Sequence, residues 1–225
     1  ERLYVSPDGD DGAPGTELAP LKTLKEAASR FPAGGTIVVR GGVYPAEKSI
    51  VLNGTEEKLL VIRAAFGEVP IFDGSGITDA YSAVLYFGTV QNAVIDGLEV
   101  RNCTAPNCSG ILAGQAQNLS IRNCHIHHVQ GSGMRFFGRR LRMESNHLHD
   151  VALSNENNEA YPDGGWPACM GTGPNHRENP DFPWTQDVII RNNTVENCWG
   201  EGIGVWFATN VIVEGNVIRN PFNIG

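Results

Sequence analysis

Five segments of the chain align column by column without a gap: AVIDGLEVRNC (93–103), LSIRNCHIHHV (119–129), LRMESNHLHDV (141–151), VIIRNNTVENC (188–198) and VIVEGNVIRNP (211–221). Their third residues, Ile95, Ile121, Met143, Ile190 and Val213, are separated by 26, 22, 47 and 23 positions, so 47 reads as one coil carrying a long insertion. A period in the low twenties with apolar and polar residues alternating belongs to a β-solenoid, not to a helical repeat of about 33 residues or more.

Side chains alternate across a strand, so each column has a face. Ile95, Ile121, Met143, Ile190 and Val213 point inward, as do Val100, Ile126, Leu148, Val195 and Ile218. Between these two strands Asn146, Asn193 and Asn216 follow Leu98 and Cys124 in one column, the pattern of an asparagine stack that satisfies turn backbone groups from coil to coil. A second polar column, Asn102, His128, Asp150, Asn197 and Asn220, marks another turn. An outward column, Asp96, Arg122, Glu144, Arg191 and Glu214, alternates in sign and so pairs each charge with its opposite on the next coil.

The same alignment places His125 on His147 and His127 on His149, in outward columns that continue as Glu99/Thr194 and Arg101/Glu196. The expectation is a structural ladder on an exposed strand, with a metal or sugar-contact role as the alternative; no Cys or carboxylate is read as completing a closed site, and no metal ligand is assigned. The five cysteines lack zinc-ribbon spacing, and their odd number argues against a disulfide framework, with one bridge such as Cys103–Cys108 left open. A net charge of −8 argues against nucleic acid or an anionic membrane as the main partner, and no apolar run reaches the roughly 18 residues needed for membrane insertion.

Residues 1–35 differ from the coils and are expected to form an N-terminal cap on a single domain spanning 1–225. In TLKEAASRF (23–31), Thr23 and Glu26 have the spacing of a capping box, and Leu24, Ala27, Ala28 and Phe31 share one face, predicting a short amphipathic helix over the open end of the solenoid. GGTIVVRGGVY (34–44) then supplies the first strand and turn, and residues 58–75 a further coil. The stretch YVSPDGDDGAPGTELAPLKTLKEAASRFPAGGTIVVRGGVY (4–44) resembles the opening of secreted right-handed parallel β-helix proteins, among them pectate lyases and related polysaccharide-active proteins. The resemblance implies an all-β, right-handed, single-stranded parallel β-helix and a secreted or cell-surface protein. It admits calcium as a cofactor, although Asp8, Asp10 and Asp11 read as turn formers, no aspartate cluster lies on the coil strands, and every lysine precedes the clear repeats.

Each turn column leads into a third strand, GILAG (110–114), GMRFF (133–137) and GIGVW (202–206), with Ile111, Met134 and Ile203 inward and Leu112, Arg135 and Gly204 outward. Their missing partner lies near WPACMG (166–171), inside the insertion at about 152–187, between two long loops expected to wall a cleft. The candidate catalytic residues there are Glu201, Asp163 and Arg135, the carboxylates for acid–base work and the guanidinium to hold or neutralise a uronate. Trp166, His176, Arg177, Trp184 and Trp206 are the candidate substrate contacts, since aromatic faces stack on sugar rings.

The expected function is cleavage of a uronate-containing or plant or algal polysaccharide, by β-elimination or hydrolysis; the rival is a non-catalytic polysaccharide-binding or adhesion module. The sequence stops as the column pattern calls for another third strand, which predicts a longer β-helix or a second chain or domain covering the last coil.

Overall fold

The structure, a computed structural model, describes residues 1–156, 168–173 and 184–221. All of its named strand pairings are parallel, and they form two sheets. The smaller sheet stacks seven strands in chain order, from Gly42–Pro45 and Pro70–Asp73 through Glu99–Cys103, His125–Val129, His147–Val151 and Thr194–Cys198 to Val217–Pro221. In the larger sheet the third strand of one coil and the first strand of the next run together, as in Ala83–Asp96, Ser109–Arg122 and Met134–Glu144. In the coil with the insertion this unit is split into Ala168–Thr172 and Thr185–Arg191. The chain is a parallel β-helix.

Register follows the sequence columns. Ile95 pairs with Ile121, Ile121 with Met143, Met143 with Ile190, and all four are fully buried. Met170 stands between Met134 and Ile203, so the inward member missing from the third-strand column is found in the insertion. Val213 is in register with Ile190 but is 47% exposed, because no further coil of the described chain packs on it.

Corners bend where residues enter the left-handed region. The column Asn102, His128, Asp150, Asn197 and Asn220 has φ between 49° and 59°, which explains its composition, since Asn, Asp and His tolerate that conformation best. Another such column, Asn92, Asn118, Arg140, Asp187 and Asn210, bends the long strands, with φ between 48° and 57°. The asparagine stack is present: Asn193 Oδ1 accepts from the backbone N–H of Asn146 at 2.9 Å, and Asn193 Nδ2 donates to Met143 O at 2.8 Å. The charge ladder is also present, with Arg122 on Asp96 at 2.9 Å and Arg191 on Glu214 at 2.6 Å.

Three expectations need correction. The cap begins with a strand, Arg2–Val5, which pairs with Gly35–Val39 and precedes the helix Leu24–Ser29. Thr23 Oγ1 caps Glu26 N–H, but the Thr23 N–H goes to Asp11 Oδ1, not to Glu26, whose carboxylate pairs with Arg30; a capping box is thus completed from a distant turn. Two disulfides form, Cys103–Cys108 and Cys169–Cys198, leaving Cys124 buried and free. Folding brings cysteines 29 positions apart to a Cα separation of 6.1 Å, within bridging range.

Candidate functional site

The third strands carry the candidate groups on their outward side. Met134 and Phe136 are inward and buried, so alternation turns Arg135 outward, where it is exposed. Its neighbours across the sheet are Leu112 on one side and Gly171 on the other, and Gly171 in turn pairs with Gly204. Two consecutive coils therefore place glycine in line with Arg135, with Gly204 about 10 Å from it at the usual spacing of strands. Both glycines are buried: a Cβ on Gly171 would lie 2.6 Å from Gly204 O and 2.9 Å from Ala168 Cβ, and one on Gly204 2.7 Å from Ala168 Cβ and 2.8 Å from Glu201 Oε2, so the neighbours close over positions that only glycine fits.

Two unlike groups flank the strand. Arg135 leans over Gly173, with Nη2 3.2 Å from the position a Cβ would take there. Opposite, Glu201 Oε2 accepts from the Trp206 indole N–H at 2.9 Å, which fixes the carboxylate and leaves Oε1 without a partner among the described residues. Trp206 is itself held: Thr172 Oγ1 accepts its backbone N–H and donates to its carbonyl, both at 2.7 Å. Its ring remains 45% exposed. Trp184, 44% exposed, meets Phe207 edge to face at 5.9 Å, beside the same corner. The Cys169–Cys198 bridge ties the third strand of this coil to the smaller sheet.

Folding thus gathers Arg135, Glu201, Trp206 and Trp184 around one strand, while Asp163, Trp166, His176 and Arg177 lie outside the described residues. Sequence reasoning recognised Gly204 as outward but missed Gly171; aligning ACMGT with GMRFF puts it opposite Arg135. An open groove of about 630 Å³ lies elsewhere, near Tyr44, Lys48 and Asp79, but Tyr44 is buried there and Lys48 faces Asp79 at 3.5 Å. It presents neither an aromatic face nor a free charge pair. Calcium prefers all-oxygen ligation. Among the described residues, the two groups of three His, Cys, Asp or Glu side chains that could ligate an ion both contain imidazole, a donor set unlike calcium's.

The model of the Pel9A-like right-handed β-helix region matches residues 3–168. The chain belongs to this family. Among curated proteins, it is 27% identical to pectate lyase PEL9 of Emericella nidulans over 93% of the chain and 50% of that protein. It is 26% identical to the uncharacterized protein YwoF of Bacillus subtilis over 99% of the chain and 42% of that protein. The chain therefore spans about half the length of these relatives. A solved rhamnogalacturonan lyase superposes with a TM-score of 0.64 at 16% identity, over 98% of the chain and 56% of that structure. Pectate lyase Pel9A superposes with a TM-score of 0.61 at 15% identity, over 88% of the chain and 48% of that structure. The right-handed parallel β-helix expected from the opening residues is thus the family fold, and no described helix is long and apolar enough to cross a membrane.

Proposed function

We propose that this Pel9A-like chain acts outside the cell on a uronate-containing polysaccharide, which lies across the outward side of the third strands between Arg135 and Glu201 and is cleaved by β-elimination. The observation that carries the reading is the placing of a cation, Arg135, and a carboxylate whose Oε1 has no partner among the described residues, Glu201, on either side of the strand Ala168–Thr172. Arg135 forks onto the uronate carboxylate, which acidifies the adjacent C–H; Glu201 takes that proton, the C4–O4 bond breaks, and the departing oxygen is protonated from water. Trp206 and Trp184 supply faces for the sugar rings. Hydrolysis calls for two carboxylates, whereas the described part of the site supplies Glu201 alone.

Asp163, Trp166, His176 and Arg177 complete the walls in this reading, and a further segment or second chain stacks on the exposed last coil. The test is to screen uronate-containing and neutral polysaccharides for the ultraviolet absorbance of a 4,5-unsaturated product. Glu201→Gln should lower turnover by about 100-fold or more while retaining binding. Unaltered turnover in both Arg135→Ala and Glu201→Gln, or equal cleavage of neutral chains, sinks the proposal; binding without cleavage by the wild type favours the adhesion module.

A further inference from the structure

Away from this site, on the smaller sheet, the histidine ladder has a feature its columns did not reveal. Glu99, one coil before His125 and His127, turns its carboxylate onto both rings: Oε1 lies 3.4 Å from His127 Nε2 and Oε2 4.0 Å from His125 Nδ1. Glu99 and His127 are mostly covered, with side chains 16% and 13% exposed, while His125 is 41% exposed. A carboxylate thus joins the patch, which among the described residues still does not close into a four-ligand site.

The hydrogen bonds around the rings restrict their tautomers. His149 Nδ1 lies 2.7 Å from Asp150 Oδ2, so its proton sits there and Nε2 is left as an acceptor. That Nε2 is 2.8 Å from His125 Nε2, which must then carry the proton of its own ring, leaving a lone pair on His125 Nδ1. His127 Nδ1 lies 2.7 Å from His128 Nδ1 and His127 Nε2 lies 3.4 Å from Glu99 Oε1, so its ring proton faces Glu99 in the ion-free chain and can move to Nδ1, toward His128, when an ion takes Nε2. At pH 8, above the ordinary imidazole value of about 6.5, the His125 lone pair, the Glu99 carboxylate and His127 Nε2 converge. Arg101 offers only part of the compensating charge, because its Nη1 is 3.2 Å from Glu99 while its Nε is held by Asp73 at 3.0 Å.

We propose that Glu99, His125 Nδ1 and His127 Nε2 bind a divalent transition-metal ion of the zinc type in an open two-histidine, one-carboxylate site. On a tetrahedral zinc with bonds near 2.0 Å, ligand atoms stand about 3.3 Å apart. The three donor atoms already lie within 4.8 Å of one another, with one contact at 3.4 Å. Imidazole selects such ions over calcium or magnesium. The outer hydrogen bonds are those a ligating histidine requires: His125 is oriented through His149 and Asp150, and His127 through His128. The exposed edge of His125 leaves room for water or another small ligand on the ion.

The site is tested by titrating the chelator-treated full chain with zinc chloride at pH 8 in a calorimeter, and by recording the visible spectrum with cobalt(II) substituted. One ion should bind, and cobalt should give the intense bands of four- or five-coordination. Glu99→Gln, which keeps shape, and His125→Gln, which leaves the Arg101 contact intact, should each weaken binding by about tenfold or more. His147→Ala should stay within about twofold, since His147 Nε2 is engaged with Glu196 at 3.0 Å, outside the triad. No heat at millimolar zinc, or affinity unchanged in both glutamine variants, overturns the proposal.

Discussion

Asn193→Ala asks how much one member of the asparagine stack contributes. The Asn193 side chain is fully buried and makes four hydrogen bonds: Oδ1 accepts from Asn146 N and Nδ2, and Nδ2 donates to Met143 O and Asn216 Oδ1. Two of the partners keep another bond, because Asn146 Nδ2 still reaches Ile121 O and Asn216 Oδ1 still accepts from the Asn193 backbone. Asn146 N–H and Met143 C=O lose the bonds made to this side chain. At about 1.5–2 kcal/mol for each of these two buried groups left unsatisfied, the expected loss is about 3–4 kcal/mol. For a chain of this size that is a fall in melting temperature of about 6–15 °C. Scanning calorimetry measures it, and amide exchange should rise first around residues 143–147 and 192–195. Asn216→Ala, at the partly exposed end of the stack, should cost about 1 kcal/mol. A loss below about 1 kcal/mol in Asn193→Ala, or equal losses in the two variants, would refute the argument that burial makes the stack matter.

Ile121→Asp places a charge between Ile95 and Met143 in the fully buried column and should abolish soluble expression; a folded variant by circular dichroism would contradict the face assignment. Burial opposes the Asp73 carboxylate, but hydrogen bonds from Ser75, Arg101 and Asn102 outweigh it and hold the carboxyl down at about 2. Because this lies below the unfolded value near 3.9, the stabilisation is full above about pH 4 and is lost as pH falls through about 2. Denaturant titrations from pH 5 to 2 should show about 2 kcal/mol less pH dependence in Asp73→Asn, and identical slopes would contradict it.

The inward columns, asparagine stack and charge ladder were legible because each is a property of one position repeated through the coils. What stayed hidden depends on contacts across columns. Cys169 pairs with Cys198 from a different phase of the repeat, so no alignment sets them side by side. Glu99 occupies the same column as His125, but its side chain also reaches diagonally to His127, a matter of length and rotamer and not of register. The bend at Arg140 and Asp187 was masked because its column mixes a cation and an acid with asparagines, although all share the left-handed backbone. At this strand, Arg135 was found by alternation and Glu201 by its place on the next coil; Gly171 was overlooked because the inserted coil was located only as the stretch 166–171, without a residue-by-residue register.

The strand Ala168–Thr172 is anchored independently of the segments on either side of it. Met170 fills the core column, Cys169 is bridged to Cys198, and backbone pairing holds it between two neighbouring coils. Sequence drift in the flanking segments can therefore proceed without unsettling the platform they leave from and return to. In evolutionary terms the strand and the sequence on either side of it are separable traits. Lineages can vary the flanking sequence while inheriting the same anchored strand.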